Sequence, residues 1–280
     1  MPNYYAHTVF GREVLAQLPP LLRSQLESQR QAFDVGLYGP DPLFFYHPAT
    51  RNFPRVTGMT MHKRPVRPVA ERLLQAVRDD LPYARGYAAG FLCHFALDSR
   101  CHYYIEAQAA SSDLTHSGME AELDRTLMLA DGIDPLHETP IAPLDLPHSF
   151  YETVTAAAYP GVRPGQFAGG LRLFRRMCRF QTRLGGTRAS DAANWVGSRW
   201  PRWTAAKGSL LPSDPDPLYA ENTATLLCLL RGEVAGTAEE LTRFFTVVAR
   251  GGALGPWYDR PFSGQWTAEH TGAVRAAAAR

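Results

Sequence analysis

GFLCHFALDSRCHYYIEAQAASSDLTHSGME, residues 90–120, is the stretch from which the rest of the chain can be read. His94, Asp98 and His102 are spaced four apart, so on a helix they project from one stripe. His116 and Glu120 repeat the four-residue step on a second helical segment. Side chains one turn apart can converge on one ion, and imidazole with carboxylate suits a first-row metal. Asp98 has two oxygens and a histidine on either side, which places it to bridge two metals. Around it the sequence is apolar almost all round, with Tyr87, Phe91, Leu92, Phe95 and Leu97. That pattern predicts a buried helix over 81–110. A single buried His or Asp ordinarily has protein hydrogen-bond partners. Three on one buried stripe carry a large desolvation cost, which a cation offsets directly.

The flanking sequence predicts further helices. Residues 1–18 hold Tyr4, Tyr5 and His7 ahead of an apolar periodicity, and 21–33 is amphipathic. Residues 33–48, FDVGLYGPDPLFFYHP, read as a loop packed on something, broken by Gly and Pro and carrying Asp41. Residues 49–64 read as polar and irregular, with His62 near their end. A helix follows over 68–80. Asp113 or Thr115 is expected to cap the helix that runs to about Ala130. After a Pro-rich loop over 131–147, helical patterns recur near 148–159, 164–185, 187–205, 218–232, 237–251 and 266–279. With no alternating strands and no repeats, the expectation is an all-α fold, with residues 1–280 as one multi-helical domain.

The net charge of +2 is too weak to imply nucleic acid or an anionic membrane surface as an obligate partner. Four cysteines show no CxxC pairing. Cys93 and Cys101 would lie about 12 Å apart on one helix, too far for a disulfide. No segment approaches a membrane span, and the start MPNYYAHTVFGREVL has no apolar leader. The expected location is cytoplasmic.

In chain order the candidate ligands are His7, Asp41, His62, His94, Asp98, His102, His116 and Glu120. With the GPD loop, HFALD and HSGME, this order resembles the zinc-dependent phospholipase C family, whose all-α fold is shared with the fungal single-strand-specific nucleases. The likeness covers residues 1 to about 125. Residues 126–280 match it only in being helical, and are read as helical scaffold with a possible substrate rim. The resemblance implies that Asp41, His62, His94 and Asp98 hold one zinc, and that His102, His116 and Glu120 hold a second. Asp98 would bridge to a third zinc also bound by His7. In the secreted enzymes of the family that third ion takes the amine of an N-terminal tryptophan. This chain opens Met-Pro-Asn, so the expected number is two or three Zn2+ ions.

The activity implied is hydrolysis of phosphoesters, chiefly phosphodiesters, with Asp41 as the catalytic base. The partner would be a small phosphoester or a lipid head group. Phe44, Phe45 and Tyr46 follow Asp41 closely and are candidates for substrate contact. A nuclease on the same scaffold, or a non-hydrolytic protein that keeps the metals, are the alternatives. Arg172, Arg176, Arg179 and Arg183 share a helix face, read as a solvated surface with a phosphate-steering rim as the alternative. Trp195, Trp200 and Trp203 are read as packing, with stacking on a base or an acyl pocket as the alternative. His47, His137, His148 and His270 are read as loop or surface residues.

Overall fold

A 28-residue helix, α6 (Ala84–Ser111), forms the axis of the fold. Every residue from Gly86 to Ser99 is buried, so the helix is enclosed on all sides over its middle. A computed structural model describes residues 4–264, apart from 142, 143, 189, 193, 194, 196–207 and 209. Before α6 come α1 (Tyr4–Gln17), α2 (Pro20–Glu27), α3 (Arg30–Gly36), α4 (Phe53–Met61) and α5 (Arg67–Arg78). After it come α7 (His116–Ala130), α8 (His148–Ala158), α9 (Pro164–Leu184) and α10 (Ala220–Arg250). Short 3-10 turns lie at Asp41–Phe45, Pro217–Tyr219 and Pro256–Asp259. Among the described residues there is no strand, only an isolated bridge between Pro65 and Pro261. The fold is all-α. No helix among those residues is long and apolar enough to cross a membrane.

The tightest helix pair is α3 on α6. Gly36 and Gly90 face each other there, and a Cβ on Gly90 would meet the Phe33 carbonyl oxygen at 2.1 Å. Without side chains at these two positions the backbones touch, which brings the Leu37 carbonyl onto the metal-facing stripe of α6. α1 is held at its start by α7. The Asp124 carboxylate accepts the N–H groups of Tyr5 and Ala6 at 3.1 and 2.8 Å, satisfying donors that a helix start leaves free. One cluster of buried apolar side chains runs from Tyr4 to Phe262.

Several local expectations need correction. Residues 49–64 are not irregular throughout, since Phe53–Met61 is helical. Asn52 accepts from the Arg55 N–H at 3.1 Å, and Pro54 sits in the first turn, where its missing N–H costs nothing, so α4 forms. The loop over 33–48 contains the end of α3 and a 3-10 turn. The helix over 21–33 is two, parted at Ser28–Gln29. The two helices expected over 218–251 are one. No proline interrupts the join, and the buried face continues through Leu230, Val234, Ala238 and Leu241. Thr115, rather than Asp113, caps α7, accepting from the Gly118 N–H at 3.1 Å. The helix expected over 266–279 lies outside the described residues, as does most of 187–205.

Candidate metal centre

α6 contributes His94, Asp98 and His102, each one turn above the last. The remaining candidates arrive from four other places: His7 from the first turns of α1, Asp41 from the 3-10 turn, His62 from the end of α4, and His116 with Glu120 from the start of α7. Asp98 is the hub. Its Oδ1 lies 3.3 Å from His7 Nε2 and 3.6 Å from His102 Nε2. Its Oδ2 lies 3.1 Å from His94 Nε2 and 3.7 Å from His62 Nε2. Asp41 Oδ1 is 3.2 Å from His62 Nε2. Glu120 Oε1 is 3.0 Å from His116 Nε2 and 3.6 Å from His102 Nε2.

The loop that carries Asp41 is pinned from below. Gly39 adopts φ +49°, and a Cβ there would fall 2.1 Å from His94 Cδ2. The buried Tyr159 hydroxyl donates to the Gly39 carbonyl at 2.6 Å and also touches the Tyr87 hydroxyl at 2.6 Å. Only a residue without a side chain lets the loop lie on the His94 ring.

The donors suit a cation. His94 Nδ1 is 3.1 Å from the Leu37 carbonyl oxygen, and His62 Nδ1 is 2.9 Å from that of Gly58. A carbonyl only accepts, so each Nδ1 carries a proton and Nε2 is the nitrogen turned toward a carboxylate oxygen. The buried His94 Nε2 and Asp98 Oδ2 have no hydrogen-bond partner. A buried carboxylate oxygen against a ring nitrogen needs a positive charge, which a metal ion supplies, or in its absence the proton that Asp98 favours on His94 by raising its pKa. Three groups bring one ligand atom from each member within 4.8 Å of the others: His7, His94 and Asp98; Asp41, His62 and His94; His102, His116 and Glu120. Imidazole and carboxylate, with no thiolate, match the ligands zinc takes in catalytic sites.

Electrostatics follow the same pattern. Burial works to raise Asp98 and Glu120, but the surrounding imidazoles outweigh it: His102 and His94 hold Asp98 well below the usual carboxylate range, and His116 holds Glu120 there. Burial also works to raise Asp41, and its bond to His62 with the charge of His94 brings it down. Burial and the neighbouring His94 push His7 down, toward the neutral form. His102 goes the other way, up to about 9, because Asp98 and Glu120 overcome its burial.

A cavity of about 360 Å³ opens over Asp98, His102, His116 and Glu120. Phe44 and Phe45 line it. Tyr46 does not, and instead packs on His47 and near Gly169 of α9. Four further residues belong to the site. Lys63, Glu106 and Ser263 line the cavity. The buried Phe262 ring lies 5.1 Å from His62 and 5.9 Å from His94. Glu106 was legible, since it extends the stripe of 94, 98 and 102 by one more turn. Phe262 and Ser263 arrive from far along the chain with no local signal.

The other candidates lie elsewhere. Arg172, Arg176, Arg179 and Arg183 are exposed on α9 and none lines this cavity. His137 pairs with Asp134 and His148 with Glu152 on the surface. Trp195 is exposed, while Trp200, Trp203 and His270 lie outside the described residues.

The family described as zinc dependent phospholipase C matches residues 6–156, just over half the chain, and the chain belongs to it. No curated protein and no solved structure matches it. The matched span holds all eight candidate ligands. Family membership, with three side-chain groups able to hold a metal, supports a metal-dependent hydrolase of the phospholipase C type.

Proposed function

We propose that the chain hydrolyses phosphodiesters with a multinuclear zinc cluster. The observation that carries this reading is Asp98, a buried carboxylate with four imidazole nitrogens within 3.7 Å. Asp41, His62, His94 and Asp98 would hold one zinc, and His102, His116 and Glu120 a second. His7 with Asp98 would hold a third. Zinc bound there supplies Lewis-acid polarisation of phosphate oxygens and a water acidic enough to ionise near neutral pH.

The chain's own residues supply the rest. Asp41 lines the cavity with its pKa lowered toward the ionised form, and would act as the base for the attacking water. Lys63, which lines the cavity, would offer a positive charge to a phosphate, and Phe44 and Phe45 wall the cavity with apolar surface. The substrate is a small phosphoester or a lipid head group. The continuous core from Tyr4 to Phe262 supports one domain. Buried free thiols at Cys93, Cys101 and Cys178 suit a reducing, cytoplasmic setting.

The test is metal analysis with a substrate panel before and after chelation: a chromogenic phosphodiester, a phosphomonoester, a choline lipid and single-stranded DNA. Zinc-dependent turnover of the phosphodiester or the choline lipid is expected. Fewer than two metals per chain at full loading would remove the multinuclear cluster, and turnover confined to DNA would make the chain a nuclease.

A further inference from the structure

α4 turns two different faces to its surroundings. Pro54 and Gly58 are buried. On the opposite side Phe53, Val56 and Met59 recur at three-residue steps and are 56%, 36% and 48% exposed. Such a ridge of apolar side chains on one short helix is costly to leave in water. The charged residues that line the groove beside it are all basic. Between Asp41 and Glu71 the sequence has five basic residues and no carboxylate, in a chain whose net charge is only +2. Arg67 is taken by Asp259. Arg51, Arg55, Lys63 and Arg64 remain, and among the described residues none of them has an ion-pair partner. Together with Val56 and Met59 they line an open groove of about 630 Å³. Lys63 lines both this groove and the metal-centre cavity, so the two lie side by side.

We propose that the outer face of α4 docks the protein on an anionic lipid surface, with Val56 and Met59 entering the headgroup boundary and Arg51, Lys63 and Arg64 meeting lipid phosphates. Both halves of the face are needed for this choice of occupant. A soluble phosphate would use the cations and leave the apolar ridge in water, whereas a bilayer surface takes up both. Docking there would bring the mouth of the metal centre to the membrane. The proposal goes beyond phosphoester hydrolysis and does not depend on it, because binding can occur without turnover.

The experiment is co-sedimentation of the zinc-loaded protein with vesicles of phosphatidylcholine alone and of phosphatidylcholine mixed with phosphatidylserine. Binding is expected to the mixed vesicles, weakening with salt. The triple variant R51Q/K63Q/R64Q is expected to bind about a hundredfold more weakly, from the usual contribution of each cation near an anionic surface. V56S/M59S, which keeps every charge, is expected to lose about tenfold. All five positions are exposed, and thermal unfolding checks that both variants fold. No binding to mixed vesicles would overturn the proposal and leave the groove to an acidic peptide. Undiminished binding by the triple variant would place the contact elsewhere. Undiminished binding by V56S/M59S would reduce the face to a patch of cations for any polyanion.

Discussion

His94 Nδ1 stands 3.1 Å from the carbonyl oxygen of Leu37, and this contact fixes which nitrogen of the ring faces Asp98. It depends on the backbone approach of α3 to α6 at Gly90. Gly90→Ala would drive a methyl group into the Phe33 carbonyl and force the helices apart. The expected cost is about 1–3 kcal/mol of stability, as for other overpacked cores. Zinc content should fall with it. Thermal unfolding and metal analysis of the purified variant read both effects.

Asp124 holds the backbone of Tyr5 and Ala6, just before His7. Removing its carboxylate in Asp124→Ala leaves the N–H groups of Tyr5 and Ala6 buried without acceptors. A loss of about 1–3 kcal/mol per stranded donor is the usual scale. The first turn of α1 would loosen, and His7 with it. The expected signature is loss of metal from the His7 position, while the ion on His102, His116 and Glu120 stays. Stepwise chelator titration of wild type and variant separates the two.

Zinc loading should release protons. His102 has its pKa raised from 6.5 to about 9 by Asp98 and Glu120, so at pH 7 the metal-free chain holds a proton that zinc must displace. For the metal-free fold the sign is the reverse of that for zinc affinity. A raised pKa stabilises the fold fully below 6.5, and the contribution is lost as pH rises through about 9. The chelated protein should therefore lose stability over this window while apparent zinc affinity climbs. Calorimetry at pH 7 in buffers of different ionisation enthalpy should show a buffer-dependent heat. A heat independent of buffer would mean that no proton is displaced.

Phe262 seals the centre from beyond the span matched by the family. Phe262→Ala would open a hole beside His62 and His94, at a cost of about 3–5 kcal/mol for a large buried ring. Zinc should exchange faster in the variant. Urea unfolding gives the first quantity and competition with a chromogenic chelator the second.

The part of the site visible in the sequence is the part built from local periodicity. His94, Asp98 and His102 share a stripe because a helix repeats every 3.6 residues, and His116 with Glu120 does the same. Their buried setting was also visible, in the apolar run of α6. What escaped is what tertiary contact decides. α4 hides behind Pro54 and Gly58, which break helices elsewhere and here sit at a first turn and at a close contact with Leu43 and Phe44. The pin on the Asp41 loop comes from Tyr159, 120 residues from Gly39. No local pattern announces that pairing, nor the return of Phe262 to the histidines. The sequence pattern divides α10 in two, although its buried face runs through the join.

Asp98→Asn tests the centre most directly. The substitution keeps the size of the side chain and removes the charge shared by four histidines. Zinc per chain, measured by mass spectrometry alongside phosphodiester turnover, should drop for the variant, with turnover falling by at least about a hundredfold, as when charge stabilisation of a transition state is removed. Unchanged zinc content and unchanged turnover in Asp98→Asn would mean that Asp98 joins no metals and that the centre is not the shared cluster drawn here.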